Sequence, residues 1–148
     1  LKVLLTGLVL SAAGQTALAD TQTDVTNALR ERLDVVEAKW AKKDAAGIVQ
    51  ETYVPETEIT GEQTPALYTG SVQLNELVTS LVKDSKSASI VLNRVTPLGK
   101  DAAYTWVTWN VVPTAGEPFK MKSLFVWKLT PKGWRIVADM YASGEIPQ

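Results

Sequence analysis

The fold of this chain is decided by residues 119–141, FKMKSLFVWKLTPKGWRIVADMY, which predict a β-hairpin. Side chains alternate between the two faces of a strand, and every second residue from 119 to 129 is apolar except for one serine. The turn TPKG at 130–133 has proline second and glycine fourth, which is typical of a type I turn. A second strand over residues 134–142 therefore folds back on the first, and the two share a large apolar face.

The register of this hairpin follows from the pairing of Leu129 with Trp134 across the turn. Continued along both strands, the pairing places Ser123 opposite Met140 on the apolar face. Asp139 then falls on the other face, where an exposed ion pair is the simplest interpretation.

The strand before the hairpin, residues 102–112, is predicted to pair with it so that Val112 lies opposite Phe119. This register turns Trp109 to the outer face of the sheet. The residues turned to the inner face are Trp106, Thr108 and Asn110. Because buried polar groups need partners, Thr108 and Asn110 either bond with Ser123 or line a pocket.

The rest of the chain predicts helices followed by strands, which is an α+β pattern in a single domain. Apolar residues at steps of three and four mark one long and two shorter helices. The predicted elements are helices over 20–43, 44–53 and 71–83, a short edge strand over 56–60, and strands over 88–96 and 102–112. A mostly antiparallel sheet with the helices packed on one face is therefore expected.

The first residues, 1–19, have the pattern of a secretory signal. Lys2 supplies a positive start, an apolar stretch follows, and Ala17-Leu18-Ala19 is a small-x-small cleavage site. The sequence predicts cleavage after Ala19 and a periplasmic or secreted domain over residues 20–148. The alternative is a buried N-terminal helix; the apolar stretch is too short for a stable membrane span.

Composition excludes several kinds of site. The 148 residues include no histidine and no cysteine, which rules out Ser-His-Asp and Cys-His machinery and histidine-ligated metals. No calcium-loop pattern occurs, so neither a metal nor a cofactor is predicted. The net charge of −1 carries no basic block, and no nucleic-acid partner is expected.

Four short motifs together resemble a known superfamily. They are WAKKD at 40–44, YVPE at 53–56, YTG at 68–70 and GWRIV at 133–137. Their order is similar to that of the SnoaL-like branch of the nuclear transport factor 2 and ketosteroid isomerase superfamily, and in particular of its uncharacterised exported members. The resemblance implies a curved sheet around the long helix, a cone with a pocket at its open end, and homodimers.

The catalytic residues that the resemblance implies are largely missing from this chain. Isomerase members have a general-base aspartate at about 60–62, where Glu62 is the only nearby acid. Their protonated acid corresponds to residues 122–123, KS, and their helix-one tyrosine has no counterpart except Trp40. Glu62 and Tyr53 remain as candidates for an acid/base enzyme acting on a hydrophobic carbonyl compound.

The leading interpretation is a domain that binds a small apolar ligand inside the cone, since pockets combine apolar walls with a few polar groups. The aromatic residues could equally be core. The predicted ligand-binding residues are Trp40, Tyr53, Tyr68, Trp106, Thr108, Asn110, Ser123 and Phe125.

The outer face of the last three strands is predicted to carry a contiguous apolar patch ringed by lysines, which favours a sheet-to-sheet homodimer. Its residues are Val107, Trp109, Leu124, Val126, Val137 and Tyr141. A non-catalytic interaction module, with a cone filled by its own side chains, is the third alternative.

Overall fold

The computed structural model describes residues 12–147, and side chains from residue 21 onward. The predicted signal covers residues 1–19. Residues 1–11 lie outside the described part of the chain, and for residues 12–19 only the backbone is described. Export and cleavage therefore stay predictions. Within the described range, no helix is long and apolar enough to cross a membrane.

The structure confirms the α+β class. Its elements are α1 (Ala12–Ala41), α2 (Ala45–Thr52), β1 (Tyr53–Gly61), β2 (Tyr68–Thr69), α3 (Ser71–Lys83), β3 (Ser85–Pro97), β4 (Ala102–Pro113), β5 (Phe119–Thr130) and β6 (Gly133–Ser143). The strands form one sheet in the order β2-β1-β6-β5-β4-β3. All neighbours are antiparallel except β1 and β6. β1 is not the edge strand that the sequence predicts, because β2 pairs with its free side.

Helix α1 packs mainly along β3, the strand at one edge of the sheet. Its predicted apolar stripe is buried, and Leu29 is fully enclosed. Two polar side chains of α1 close the sheet edge at Ile90: Arg30 Nη1 donates to the Ile90 carbonyl at 2.6 Å, and the Ile90 amide donates to Glu37 Oε1 at 2.8 Å. Arg30 and Glu37 also pair with each other at 2.9 Å. The open edge of β3 is thereby covered at Ile90, and the amide and carbonyl of this residue both have hydrogen-bond partners.

The hairpin has the predicted turn and the predicted register close to it. Gly133 has φ +93°, a left-handed conformation that suits glycine. The Thr130 hydroxyl donates to the Gly133 carbonyl at 2.8 Å. Leu129 pairs with Trp134, as expected from the sequence.

Further along, the predicted hairpin register is wrong because Val137 forms a β-bulge. Beyond it Ser123 pairs with Tyr141 instead of Met140. One extra residue moves every later side chain to the other face of its strand. Asp139 is accordingly 9% exposed and lies inside, whereas Met140 is 60% exposed.

Strand β1 accommodates the same irregularity. Its pairing with β6 is interrupted over residues 54–57, between Tyr53 opposite Ile136 and Glu58 opposite Ala138. At this point the Thr57 hydroxyl, fully buried, donates to the Ile136 carbonyl at 2.6 Å. The side chain thus supplies a hydrogen bond that the interrupted strand pairing does not.

The predicted register between β4 and β5 is also wrong by one residue. Phe119 pairs with Val111, not with Val112, and Trp109 pairs with Met121 on the inner face. A one-residue slip exchanges the two faces of a strand. Trp106, Thr108 and Asn110 therefore lie on the outer face, and they do not form a cluster with the inward Ser123.

The outer face differs from the predicted dimer patch for the same reason. Val107 is fully buried, and Trp109 and Tyr141 lie inside, so the six predicted interface residues do not share a face. Leu124 and Val126 do lie outside and are half-buried. The composition of the predicted patch is therefore wrong, whereas dimer formation itself stays a prediction.

Candidate ligand site

The inner face of the sheet and the three helices enclose a cavity of about 550 Å³. Every helix and every strand except β2 contributes to its wall, and most of the lining side chains are apolar. Its size lies within the range of roughly 300–1,000 Å³ that is usual for small-molecule sites.

Two tryptophans form one wall of this cavity. The rings of Trp40 on α1 and Trp109 on β4 have centroids 5.5 Å apart and are tilted by 51°. The indole Nε1 of Trp40 donates to Ser85 Oγ at 2.7 Å, so its polar edge is satisfied within the protein. Phe125 supports Trp109 edge-on from behind, at 6.3 Å. The wall therefore offers flat apolar surfaces that are held in place by packing.

Asp139 is a buried acid that lines the cavity. Burial raises its pKa to about 8, and the hydrogen bond from the Ser123 side chain opposes this only in part. Within the described residues, its Oδ1 has no hydrogen-bond partner. At neutral pH the carboxyl is therefore mostly protonated, and it can donate one hydrogen bond and accept others.

Tyr53 lines the same cavity at the junction of α2 and β1. Burial raises the pKa of its phenol, and Asp139 raises it further once its carboxyl is ionised at high pH. The phenol thus stays protonated over the physiological range. Tyr53 and Asp139 provide two neutral O–H groups in an apolar surrounding.

Tyr141 closes another side of the cavity. Its hydroxyl is hydrogen-bonded to that of Thr64. The ring lies directly over Gly61, where an added Cβ would be 2.3 Å from Tyr141 Cδ2. A glycine at position 61 is therefore needed for the ring to take this place.

No protein-family model matches the sequence, and no curated protein is significantly similar to it. Solved structures do match. A nuclear transport factor 2-like superfamily protein from Salmonella enterica superimposes with a TM-score of 0.65 at 20% identity, over 88% of this chain and 96% of that one. A ketosteroid isomerase-like protein from Erwinia carotovora superimposes with a TM-score of 0.68 at 14% identity, over 81% of this chain and 96% of that one.

This chain has the nuclear transport factor 2-like fold. A putative aromatic ring hydroxylase from Novosphingobium aromaticivorans shares it, with a TM-score of 0.63 at 13% identity over 81% of this chain and 88% of that one. At such identities the likeness establishes the fold alone.

Three of the eight predicted ligand-binding residues line the cavity, and the other five do not. Trp40, Tyr53 and Ser123 line it. Phe125 is a core residue behind the wall, and Tyr68 lies half-buried on β2, outside the lining. The three predicted residues on the outer face of β4 also lie outside the lining: Trp106, Thr108 and Asn110.

Thr108 is buried despite its outward position. Its hydroxyl donates to Asn93 Oδ1 at 2.9 Å and accepts from the Ile146 amide at 3.1 Å. The residue therefore holds the C-terminal segment against the outside of the sheet, and this contact satisfies its polar atom without a ligand.

Glu62 is not among the residues that line the cavity. Its exposed Oε2 accepts the Ser143 amide at 2.6 Å. Its pKa is lowered by the hydrogen bonds from Ser143 and by the charge of Lys122. This placement does not support the predicted role of Glu62 as a general base inside the cone.

Sequence reasoning missed Asp139, Trp109 and Tyr141 as cavity residues. All three depend on registers set by the Val137 bulge or by the β4–β5 connection. Residues 136–142 place apolar side chains on both faces, so alternation fits either register equally well. Within the described residues, no cluster of acids, histidines or cysteines that could hold a metal occurs.

Proposed function

We propose that this protein binds a small, flat, mainly apolar molecule whose single hydrogen-bonding oxygen is held by Asp139. The observation that carries the proposal is the buried Asp139 Oδ1, which has no partner among the described residues and belongs to the lining of the cavity. A buried polar atom without a hydrogen bond costs about 1–3 kcal/mol, and a ligand oxygen would offset this.

The chemistry of the ligand follows from the state of the acid. Because the Asp139 carboxyl is protonated at neutral pH, it donates best to a carbonyl oxygen or to another neutral acceptor. The Tyr53 phenol is a second neutral donor at the same cavity. The tryptophan wall suits a flat ring system.

Binding has more support than proton-transfer catalysis. The candidate base Glu62 does not line the cavity, and Tyr53 keeps its proton because burial raises its pKa. Two acids line the cavity, Asp139 and Asp84, and of these Asp139 is buried whereas Asp84 is exposed. A proton transfer in this cavity would therefore have to use Asp139 itself, whose pKa of about 8 keeps the carboxyl mostly protonated at neutral pH.

A pair of matched probes tests the proposal: 2-acetylnaphthalene and 2-ethylnaphthalene, which have nearly the same shape but differ in the carbonyl oxygen. Binding is followed by quenching of tryptophan fluorescence. We expect the ketone to bind about tenfold more tightly, because it satisfies the buried acid.

In Asp139→Leu the preference should vanish, while the hydrocarbon should bind as well as it does to the wild type. Equal affinities in the wild type, or a preference that survives Asp139→Leu, would refute the role of Asp139. Tighter binding of 1-(2-naphthyl)ethylamine than of the ketone would show instead that the acid is ionised and selects a cation.

We further propose that this binding takes place outside the cytoplasm. The support is the signal-like pattern of residues 1–19, with its small-x-small site before Asp20. The intact mass of protein recovered from the periplasm or medium should correspond to a chain that begins at Asp20. A mass that still includes residues 1–19 would contradict export with cleavage.

A further inference from the structure

A second cavity, of about 610 Å³, lies next to the first. Tyr53 belongs to the lining of both, so the two cavities meet at this residue. The second cavity is bounded by α2, the start of β1, the first turns of α3, and the turn between β5 and β6. The second cavity therefore lies beside the hairpin turn. Asp139 does not line it.

Arg135 is the buried charged group of this cavity, with only 8% of its surface exposed. Its Nη1 donates to the carbonyl of the preceding residue, Trp134, at 2.9 Å. A guanidinium has five N–H donors, and this single backbone contact leaves most of them free for another acceptor. Buried arginines are normally paired with a carboxylate or a phosphate.

Arg32, on α1, is not part of the cavity lining, but its guanidinium lies close to that of Arg135 at the hairpin turn. A Cβ built on Gly133 would be 3.6 Å from Arg135 Nη1 and 3.9 Å from Arg32 Nη1. Both guanidinium groups thus lie against the hairpin turn, although like charges repel. Burial lowers the pKa of Arg135, and the charge of Arg32 lowers it further.

No acid among residues 21–147, whose side chains the structure describes, forms an ion pair with either arginine. The acid whose charge acts on Arg135 is Glu51, and Glu51 is itself bonded to Lys39 at 3.1 Å. The residues three and four positions from Arg32 along the helix are all apolar: Ala28, Leu29, Val35 and Val36.

Two further features add positive potential to the cavity. Lys132, in the hairpin turn, is exposed and belongs to the lining. The first residue of α3, Ser71, also belongs to the lining, and the N-cap Gly70 supplies no side-chain hydrogen bond to the helix. The free amides at such an end favour a negative group.

We propose that this cavity is a second binding site, for an organic molecule that carries a carboxylate or phosphate group. The oxyanion lies at the edge of the cavity, where Arg135 faces Arg32 beside the hairpin turn, and Lys132 lines the same edge. The apolar part of the molecule packs on Val49 and Leu74, which also line the cavity. Two guanidinium groups suit an oxyanion because each can donate paired hydrogen bonds.

Phenyl phosphate and benzoate are the probes, and nuclear magnetic resonance is the readout. We expect saturable shifts of the Gly133 amide and of the arginine side-chain Nε–Hε signals, with an affinity that falls as salt is added. Inorganic phosphate and phenol, the two halves of the first probe, should each bind more weakly. The stronger of the two full probes identifies the anion as a phosphate or a carboxylate.

Arg32→Gln is the main variant, because Arg32 is only half-buried. Its replacement also leaves no other side chain among the described residues without a hydrogen-bond or ion-pair partner. It should weaken phenyl phosphate about tenfold, which is the usual effect of losing one charge-assisted hydrogen bond. Lys132→Gln should weaken the probe to a smaller extent. Arg94→Gln, an exposed arginine on β3, is the matched control and should bind as the wild type does.

Three results would overturn the proposal. The first is the absence of saturable shifts at Gly133 with either probe at about 10 mM. The second is binding that Arg32→Gln leaves unchanged or that Arg94→Gln weakens equally, since this would indicate general attraction to positive charge. The third is competition with 2-acetylnaphthalene for one site, which would place the probe in the first cavity.

Discussion

Replacement of Asp139 by asparagine should remove a pH dependence of stability that the wild type has. The folded protein holds this carboxyl with a pKa of about 8, against 3.8 for the ordinary group. Between these two values the folded state binds a proton that the unfolded state releases. The contribution of this carboxyl to the unfolding free energy is therefore largest below its unfolded-state pKa. It is lost progressively as the pH rises to the folded-state pKa.

The size of the effect follows from the width of this interval. Each pH unit within it removes about 1.4 kcal/mol of unfolding free energy, so a rise from about pH 5 to about pH 7 removes about 2.5 kcal/mol. Asparagine has a similar shape and does not titrate. Between about pH 5 and about pH 7, the unfolding free energy of the variant should thus rise by about 2.5 kcal/mol relative to that of the wild type.

Urea unfolding followed by tryptophan fluorescence, at a series of pH values from about 5 to 9, measures this difference. The sequence contains no histidine or cysteine, so few other side chains titrate in this range. If the wild type and Asp139→Asn lose stability in parallel, the buried acid does not have a raised pKa. The neutral donor on which the proposed ligand chemistry depends would then be excluded.

Gly61→Ala should lower the unfolding free energy by about 1–3 kcal/mol, because its methyl group would overlap the ring of Tyr141; unchanged stability would show that the ring moves freely. Glu37→Gln should speed hydrogen exchange of the Ile90 amide, which loses a charged acceptor; unchanged exchange would show that the carboxylate does not protect the sheet edge. A homodimer through the outer sheet face stays a prediction, and Leu124→Glu should yield a monomer by light scattering. A wild type that is already monomeric at tens of micromolar would contradict it.

The sequence predicts well what local chemistry determines. The hairpin turn is fixed by its own proline and glycine, and the pairing of Leu129 with Trp134 next to it is right. The buried stripe of α1 follows from helical spacing, and Leu29 is enclosed as expected. The predicted bounds of the last three strands differ from the structure by at most about a residue at each end.

Prediction from the sequence fails where a shift of one residue decides the strand register. A bulge at Val137 leaves no mark in a strand whose two faces are both partly apolar. The β4–β5 connection allows two registers that differ by one residue, and both bury large side chains. The sequence thus predicts Trp109 in a dimer interface and Asp139 in a surface ion pair, although both line the cavity. Only the tertiary packing of the sheet distinguishes these alternatives.

The Val137 bulge also changes how sequence variation in this fold acts on its interior. Deletion of this one residue would restore regular pairing and leave every later partner unchanged, with Asp139 still opposite Phe125 and Tyr141 still opposite Ser123. Closure of the bulge with Val137 retained would instead exchange the faces, so that Asp139 and Tyr141 turn outward and the cavity loses its acid. In an alignment of related chains, a one-residue gap at this point is therefore compatible with the same inward acid.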